Sequence, residues 1–339
     1  MDQPILIFSS LNEPCTDWVE KELRLRGSTF IRINYEESLT DTLWDIEIGN
    51  NGIILKINEN IVQPKSVWMR RWGYPLIPKM QDELSKFFVF NEFLSMSSGL
   101  SSLIDTKWIN HPHKEKISTN KILQLVVAKK LGWEIPDTLI SNNQHEVIKF
   151  RNKLTHLIFK PVSANQSSHH IASKLTQVKM SNEYSEDNYD YGDHRSPSLI
   201  FTQELTDEKL EYLHSLKWTP VNFQQKIIKK SDIRVTVIGE KIFSCRIKSQ
   251  NNPKTSLDFR YMNIVGNVPH EKIELGPEIN ARILLLMSKL GLVFGCLDFI
   301  ETHNGDLVFL EVNPSGQWLW IEQLTGMKIS QAFAEELIS

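Results

Sequence analysis

Cysteine is scarce in this chain. Among 339 residues there are three, Cys15, Cys245 and Cys296, and they lie far apart. Their spacing fits no zinc motif, and an odd number argues against a disulfide framework. Long apolar runs are missing as well. None approaches the roughly 18 residues that span a bilayer, so no membrane crossing is expected. The N-terminus reads Met-Asp-Gln-Pro-Ile-Leu-Ile-Phe. It lacks a basic stretch ahead of a long apolar one, so it is not a signal peptide, and a cytoplasmic, reducing location is the expectation. Excess charge of either sign is also absent, with 38 Lys plus Arg against 41 Asp plus Glu and a net charge of −3. That balance argues against nucleic-acid binding through bulk charge. No GxGxxG follows the first strand, so the dinucleotide fingerprint is lacking.

What is present suits a soluble globular protein: 41% hydrophobic and 23% charged residues. At about 100–200 residues per domain, the length allows two or three domains. Strand-like residues 4–8, a helical stretch from Pro14 to Arg26 and a second strand at 29–33 suggest an α/β unit. Further strands are expected at 52–57 and 66–70, and a helix over 82–104. The polar, proline-containing stretch INHPHKEK (109–116) reads as a break and a domain boundary. A helix follows, with Ser118 as its cap and Gly132 as its stop. Residues 135–140 and 157–162 are strand-like. The stretch 181–193 holds five acidic residues and no Lys or Arg, the pattern of a solvated loop. The last third alternates clearly at 233–238, 241–247 and 296–301. Pro277 opens an apolar-striped helix that Gly291 closes.

The most informative chemistry lies in GCLDFIETHNGDLVFLEVNPSG (295–316). A hairpin turn at His303–Asp306 would set two antiparallel strands side by side. Asp298 lies on the first strand. Glu311 and Asn313 lie on the second, two residues apart and therefore on one face. Three hard oxygen donors on one face suit Mg²⁺, which takes carboxylates together with substrate phosphates. The alternative is that Asp298 and Glu311 are ordinary solvent-facing strand residues. Their run into a Pro-Gly turn favours the ligand reading.

These residues resemble the ATP-grasp superfamily, in which a strand Asp and a later Glu-x-Asn hold magnesium. Lys121 in STNKILQL resembles the first nucleotide lysine of the central domain, and Lys160 in LIFKPV the second. FQQKI (223–227) resembles the hinge, which would put Gln225 at the adenine amino group and the backbone of Lys226 and Ile227 at the adenine edge. Asp232 and Arg234 resemble the Asp-x-Arg element. A closer resemblance is to the microviridin-type, or graspetide, peptide macrocyclases. It is carried by VWMRRWGYP (67–75), WINHP (108–112), IPDTLISN (135–142), IFTQEL (200–205), TPVNFQQKI (219–227), the SQ and DFR pieces of 249–260, and LEVNPSGQWLWIEQLTG (310–326). Two features differ from the family pattern. The loop SANQSSHH (163–170) lacks the usual glycines, and Gln225 stands where many relatives have Glu.

The resemblance implies an α/β protein with α+β elements, the ATP-grasp fold, in three parts. These are an N-terminal α/β domain (1–112), a central lid (113–222) and a C-terminal ATP-grasp domain (223–339), with the nucleotide between the last two. It implies ATP and Mg²⁺ as cofactors and a ribosomal precursor peptide, leader plus core, as partner. The expected reaction activates an Asp or Glu side chain as an acyl phosphate. A Ser or Thr hydroxyl, or a Lys amine, then closes an ester or amide ring. Metal binding would fall to Asp298, Glu311 and Asn313, and phosphate charge to Lys121, Lys160 and Arg234. Arg246 and Arg260 are candidates for the substrate carboxylate, with surface ion pairs as the alternative for both. One of Arg70 and Arg71 is expected to bond internally across domains. The stretch DEKLEYLHSLKW (207–218) is a candidate leader-docking helix, or else a helix packed on its own sheet. A homodimer is left open. The competing functions are an ATP-grasp ligase that adds amino acids to a protein or small molecule, and a non-catalytic nucleotide-binding regulator.

Overall fold

Five residues near the N-terminus, Ile5–Ser9, form β1, buried along its whole length as a strand covered on both faces must be. The computed structural model describes residues 3–71, 75–77, 82–162, 202–261 and 268–339. Helix α1 (Pro14–Leu25) starts on Pro14, where a missing N–H costs nothing, and β2 (Phe30–Asn34) returns parallel to β1. Next, β3 (Trp44–Gly49), β4 (Gly52–Ile57) and β5 (Asn60–Ile61) form a small antiparallel sheet. Only β4 of these is anticipated by the sequence pattern. Then β6 (Ser66–Met69), α2 (Glu83–Leu103) and β7 (Lys107–Ile109) complete a parallel sheet in the order β2-β1-β6-β7. Residues 109–116 are not an irregular break. Ile109 ends β7, and Pro112 opens α3 (Pro112–Ser118).

Helix α4 (Lys121–Lys130) is capped by Asn120, whose Oδ1 accepts from the backbone N–H of Ile122 and Leu123 at 3.0 and 3.1 Å. Ser118, the expected cap, instead closes α3. A second sheet is built from β8 (Thr138–Ser141), β9 (Leu157–Lys160), β10 (Gln203–Glu204) and β11 (Val221–Gln225), with α5 (Gln144–Leu154) between β8 and β9. It is antiparallel in the order β10-β9-β11-β8. The stretch 207–218 is a single α-turn, α6 (Asp207–Leu210), continued as a 3₁₀ helix over Glu211–Trp218. Its Leu213 and Leu216 are buried in one cluster with Val147, Leu157, Phe159 and Phe223. Its apolar side therefore packs on its own sheet, the second of the two expected readings.

The third sheet is antiparallel, in the order β14-β13-β12-β15-β16. Its members are β12 (Ser231–Ile238), β13 (Lys241–Ile247), β14 (His270–Ile273), β15 (Phe294–Glu301) and β16 (Leu307–Asn313). Helix α7 (Pro277–Leu290) runs from Pro277 to Gly291, which adopts the left-handed C-cap conformation, φ 70°. The β15–β16 hairpin forms as the sequence predicts, and α8 (Leu319–Thr325) and α9 (Ile329–Ile338) end the chain.

The core links the first and third sheets. Ile5, Ile7, Trp68 and Ile109 from one, and Ile238, Cys245 and Cys296 from the other, close around Phe333 and Leu337 of α9. Trp318 stacks on Phe333 with ring centroids 5.1 Å apart, so it is a core residue. Helix α4 packs through Leu125 and Ala128 with the third sheet, and β11 runs across the 222/223 division. Among the described residues, no helix is long and apolar enough to cross a membrane. The glycine-poor loop 163–170 and the acidic stretch 181–193 lie outside the described residues.

Candidate active site

Strand parity divides the third sheet. On one face Ile233, Val235, Val237, Leu297, Phe299, Phe309 and Val312 are buried against α7 and α4. On the other, Arg234, Asp298 and Glu311 stand in register on three neighbouring strands. Arg234 Nη1 donates to both Asp298 oxygens at 2.9 and 2.8 Å, and Nη2 donates to the Gln317 carbonyl at 3.3 Å. Glu311 draws its cations from other elements. Lys121 Nζ, at the first position of α4, lies 3.1 Å from Oε2, and Lys160 Nζ, at the end of β9, lies 3.8 Å from the same atom. One carboxylate thus faces two ammonium groups brought to it by two other elements. The surplus positive charge suits a polyanion.

The electrostatics follow from this arrangement. Burial opposes ionisation of Glu311, but Lys121, Lys160 and Arg260 outweigh it and hold the carboxyl well below its usual range. Asp298 moves the other way. Burial and the neighbouring Glu311 push its carboxyl up, against the Arg234 guanidinium. Burial also lowers the Lys160 ammonium, with Glu311 opposing. Two adjacent carboxyls shifted in opposite directions, under cations from several elements, are a charge cluster of the kind found at functional sites.

Asn313 lies two residues beyond Glu311 on the same strand face, exposed, with Oδ1 accepting from the Ser315 N–H at 3.1 Å. Among the described residues, no group of three or more His, Cys, Asp and Glu side chains forms a metal site. The donor set here is two carboxylates and an amide, which needs substrate oxygens to complete a Mg²⁺ shell. Glu311 Oε2 fits that use, because it is buried and, despite its lysine neighbours, accepts no well-formed hydrogen bond.

Other sequence-predicted residues distribute as follows. Arg260 donates to Asp258 through Nε at 2.8 Å, and its charge reaches Glu311 and Asp298. Asp232 is buried with Lys229, whose Nζ lies 2.9 and 2.7 Å from its two oxygens and 3.2 Å from the Leu257 carbonyl. That pairing ties β12 to the segment that carries Arg260. Gln225, Lys226 and Ile227 connect β11 toward β12. Their backbone is anchored by Gln225 N–H to the Asp137 carbonyl and Lys226 N–H to the His156 carbonyl, at 2.9 and 3.0 Å. Arg246 does not join the cluster. It pairs with Ile233 in register, so it belongs to the opposite sheet face. There it grips Glu301 through Nε and Nη2 at 2.8 and 3.0 Å. The register across β12 decides this, and no local pattern reveals it.

Two supports, Gln124 and Asn110, escape the sequence reading, and a third, Arg70, belongs to the pair expected to bond internally. Gln124, one turn after Lys121, donates Nε2 to the Val312 carbonyl at 2.7 Å, and its Oε1 accepts the Val312 N–H at 2.9 Å. It stitches α4 to the residue beside Glu311. Asn110 accepts from the Val293 and Phe294 N–H groups and donates to the Phe294 and Pro314 carbonyls. Arg70, fully buried, donates to the Ser315 and Gly316 carbonyls at 2.9 and 3.0 Å and to Glu13 at 3.1 Å. Of the two arginines, Arg70 is thus the one that reaches from the first sheet to the loop leaving Asn313, which it holds. A buried polar residue within an apolar helix stripe is the one signal that could have pointed to Gln124.

No protein-family profile matches the chain. Its fold is matched over 99% of both chains by the macrocyclase MdnC bound with precursor peptide MdnA from Microcystis aeruginosa MRC, at TM-score 0.79 and 27% identity. A RiPP-associated ATP-grasp ligase from Chryseobacterium gregarium, in complex with ADP and a leader and core peptide, matches at TM-score 0.83 and 24% identity, over 99% of this chain and 96% of that one. The chain has the ATP-grasp fold. The resemblance to ATP-grasp peptide maturases read from the motifs is borne out. A curated relative, the tetrahydromethanopterin:alpha-L-glutamate ligase of Methanococcus maripaludis, is 23% identical over 210 residues, which span 60% of this chain and 60% of that protein. In this ATP-grasp chain the charged row on β12, β15 and β16 meets Lys160 of the central sheet through Glu311, 3.8 Å from its Nζ.

Proposed function

We propose that the protein is an ADP-forming carboxylate ligase that closes side-chain macrocycles in a ribosomal precursor peptide. The observation that carries this reading is the convergence of Lys121 and Lys160 on Glu311, beside the Arg234–Asp298 pair. ATP would lie between the central and C-terminal sheets, its adenine at Gln225, Lys226 and Ile227. Asp298, Glu311 and Asn313 would hold Mg²⁺, which when bound offsets charge on the β- and γ-phosphates. Lys121 and Lys160 would turn from Glu311 to phosphate oxygens, an exchange of one ion pair for another with little reorganisation. Arg234 and Arg260 sit where they can hold the substrate carboxylate and the acyl phosphate, for which a guanidinium fork is suited. The peptide's Asp or Glu oxygen attacks the γ-phosphorus and ADP leaves. A Ser or Thr hydroxyl then attacks the acyl carbon, loses its proton, and inorganic phosphate departs. A Lys amine would give an amide by the same route. No side chain of this protein becomes covalently attached. Positioning and charge compensation supply the rate.

The test is incubation with ATP, Mg²⁺ and the short peptide encoded beside the gene, followed by intact-mass analysis. Loss of one water per ring supports the reading. The glutamate-ligase relative favours a second reading, addition of an amino acid to an acceptor, and gain of a residue mass would mark it. ATP binding with no mass change on any peptide would instead indicate a regulator.

A further inference from the structure

Asn222, near the centre of β11, is fully buried, yet neither its Nδ2 nor its Oδ1 has a hydrogen-bond partner among the described residues. Gln224, two residues on, is in a similar state. Its Nε2 donates to Thr138 Oγ1 at 3.0 Å, but its Oε1 is unpaired. Unmade hydrogen bonds on buried groups are costly, and native structures keep few of them. Here three such atoms sit on one strand.

The register says where they face. Asn222 stands opposite Lys160, and Gln224 opposite Ile158. The alternate residues Val221 and Phe223 pack in the hydrophobic cluster with Leu157, Phe159 and Val147 of α5. The two amides therefore share the sheet face from which Lys160 reaches Glu311.

The chemistry then selects a ligand. A phosphate offers only acceptors, so it would satisfy Nδ2 and leave both amide oxygens unpaired. An edge with a donor beside an acceptor satisfies a carboxamide completely. The N6–H and N7 of adenine form such an edge, and Asn or Gln matches it bidentately. Guanine presents O6 and N7, two acceptors, and would set O6 against Oδ1. We propose that Asn222 is a base-specificity residue, its carboxamide reading the amino-purine edge of the nucleotide, with Gln224 Oε1 as a second acceptor. The inference rests on the ATP-binding reading above.

The experiment measures Mg²⁺-ATP and Mg²⁺-GTP affinity by calorimetry, and the ligand-free melting temperature, for the full chain and for N222L. Removing an unpaired amide should leave the ligand-free melting temperature unchanged or higher. ATP affinity should fall roughly tenfold or more while GTP affinity holds, which narrows the preference. Equal loss for both nucleotides would put the amide on ribose or phosphate and overturn the assignment. Unchanged affinities would show an amide with no ligand role and overturn it too. If N222L fails to fold, N222A carries the same comparison. A wild-type chain that binds no ATP would defeat the ATP reading itself, and this inference with it.

Discussion

The two faces of the C-terminal sheet are made by the same strands and have opposite chemistry. Residues 233, 235 and 237 close a hydrophobic core, whereas residue 234, between them, belongs to a charged row. Along β15 the neighbours Asp298 and Phe299 part in the same way: Asp298 pairs with Arg234, while Phe299 packs on Trp133 and Phe309 with centroids 5.1 and 5.6 Å away. One face stabilises the sheet. The other holds carboxylates where burial raises the cost of leaving them unpaired. Strand alternation thus supplies a rigid support for a costly polar site without interrupting the core.

Breaking the apolar face should have the largest effect. Phe299→Ala removes a fully buried ring and is expected to cost about 3–5 kcal/mol of stability, read as a lower denaturant midpoint. Breaking the charged face should act on turnover instead. Glu311→Gln keeps the shape, and activity should drop about a hundredfold or more while the fold persists by circular dichroism. The acid side sharpens that contrast. Because the folded state depresses the Glu311 pKa, its ion-pair contribution is present above the ordinary carboxylate range. It is lost as pH falls through that range and below. An acid titration of melting temperature should show this loss in the wild type and a smaller one in Glu311→Gln.

Two smaller changes probe the supports. Gln124→Leu strips Val312 of both backbone partners and should cost about 1–3 kcal/mol. It should also raise the KM for ATP, because Lys121 loses its fixed distance to Glu311. Glu335, held at about 2 by Lys241, Gln331 and Arg26 at the surface, should contribute least. Glu335→Gln is expected to change stability by less than about 1 kcal/mol. Its effect should be present above the usual carboxylate range and vanish as pH falls toward 2.

The hairpin around Asp298 and Glu311 was legible because its signals are local: alternation, a Gly-containing turn and a capped helix before it. The ATP-grasp frame was legible from motif order. What escaped depends on contacts between distant residues. Arg246 differs from Arg234 only in the face that cross-strand register assigns it. Glu13 and Arg70 lie far apart in sequence, and nothing near either residue announces their pairing. Residues 109–116 misled because Pro112 marks a helix start as readily as a break. Asn222 sits in a stretch read for its hinge, and its unpaired amide shows only once the strand is buried.

The most direct test of the charged face as a Mg²⁺-nucleotide site is the Mg²⁺ dependence of affinity for a non-hydrolysable ATP analogue, measured by calorimetry in the wild type and in Glu311→Gln. The account predicts that Mg²⁺ tightens binding in the wild type and that most of this gain disappears in the variant. An equal Mg²⁺ response in both proteins would contradict it.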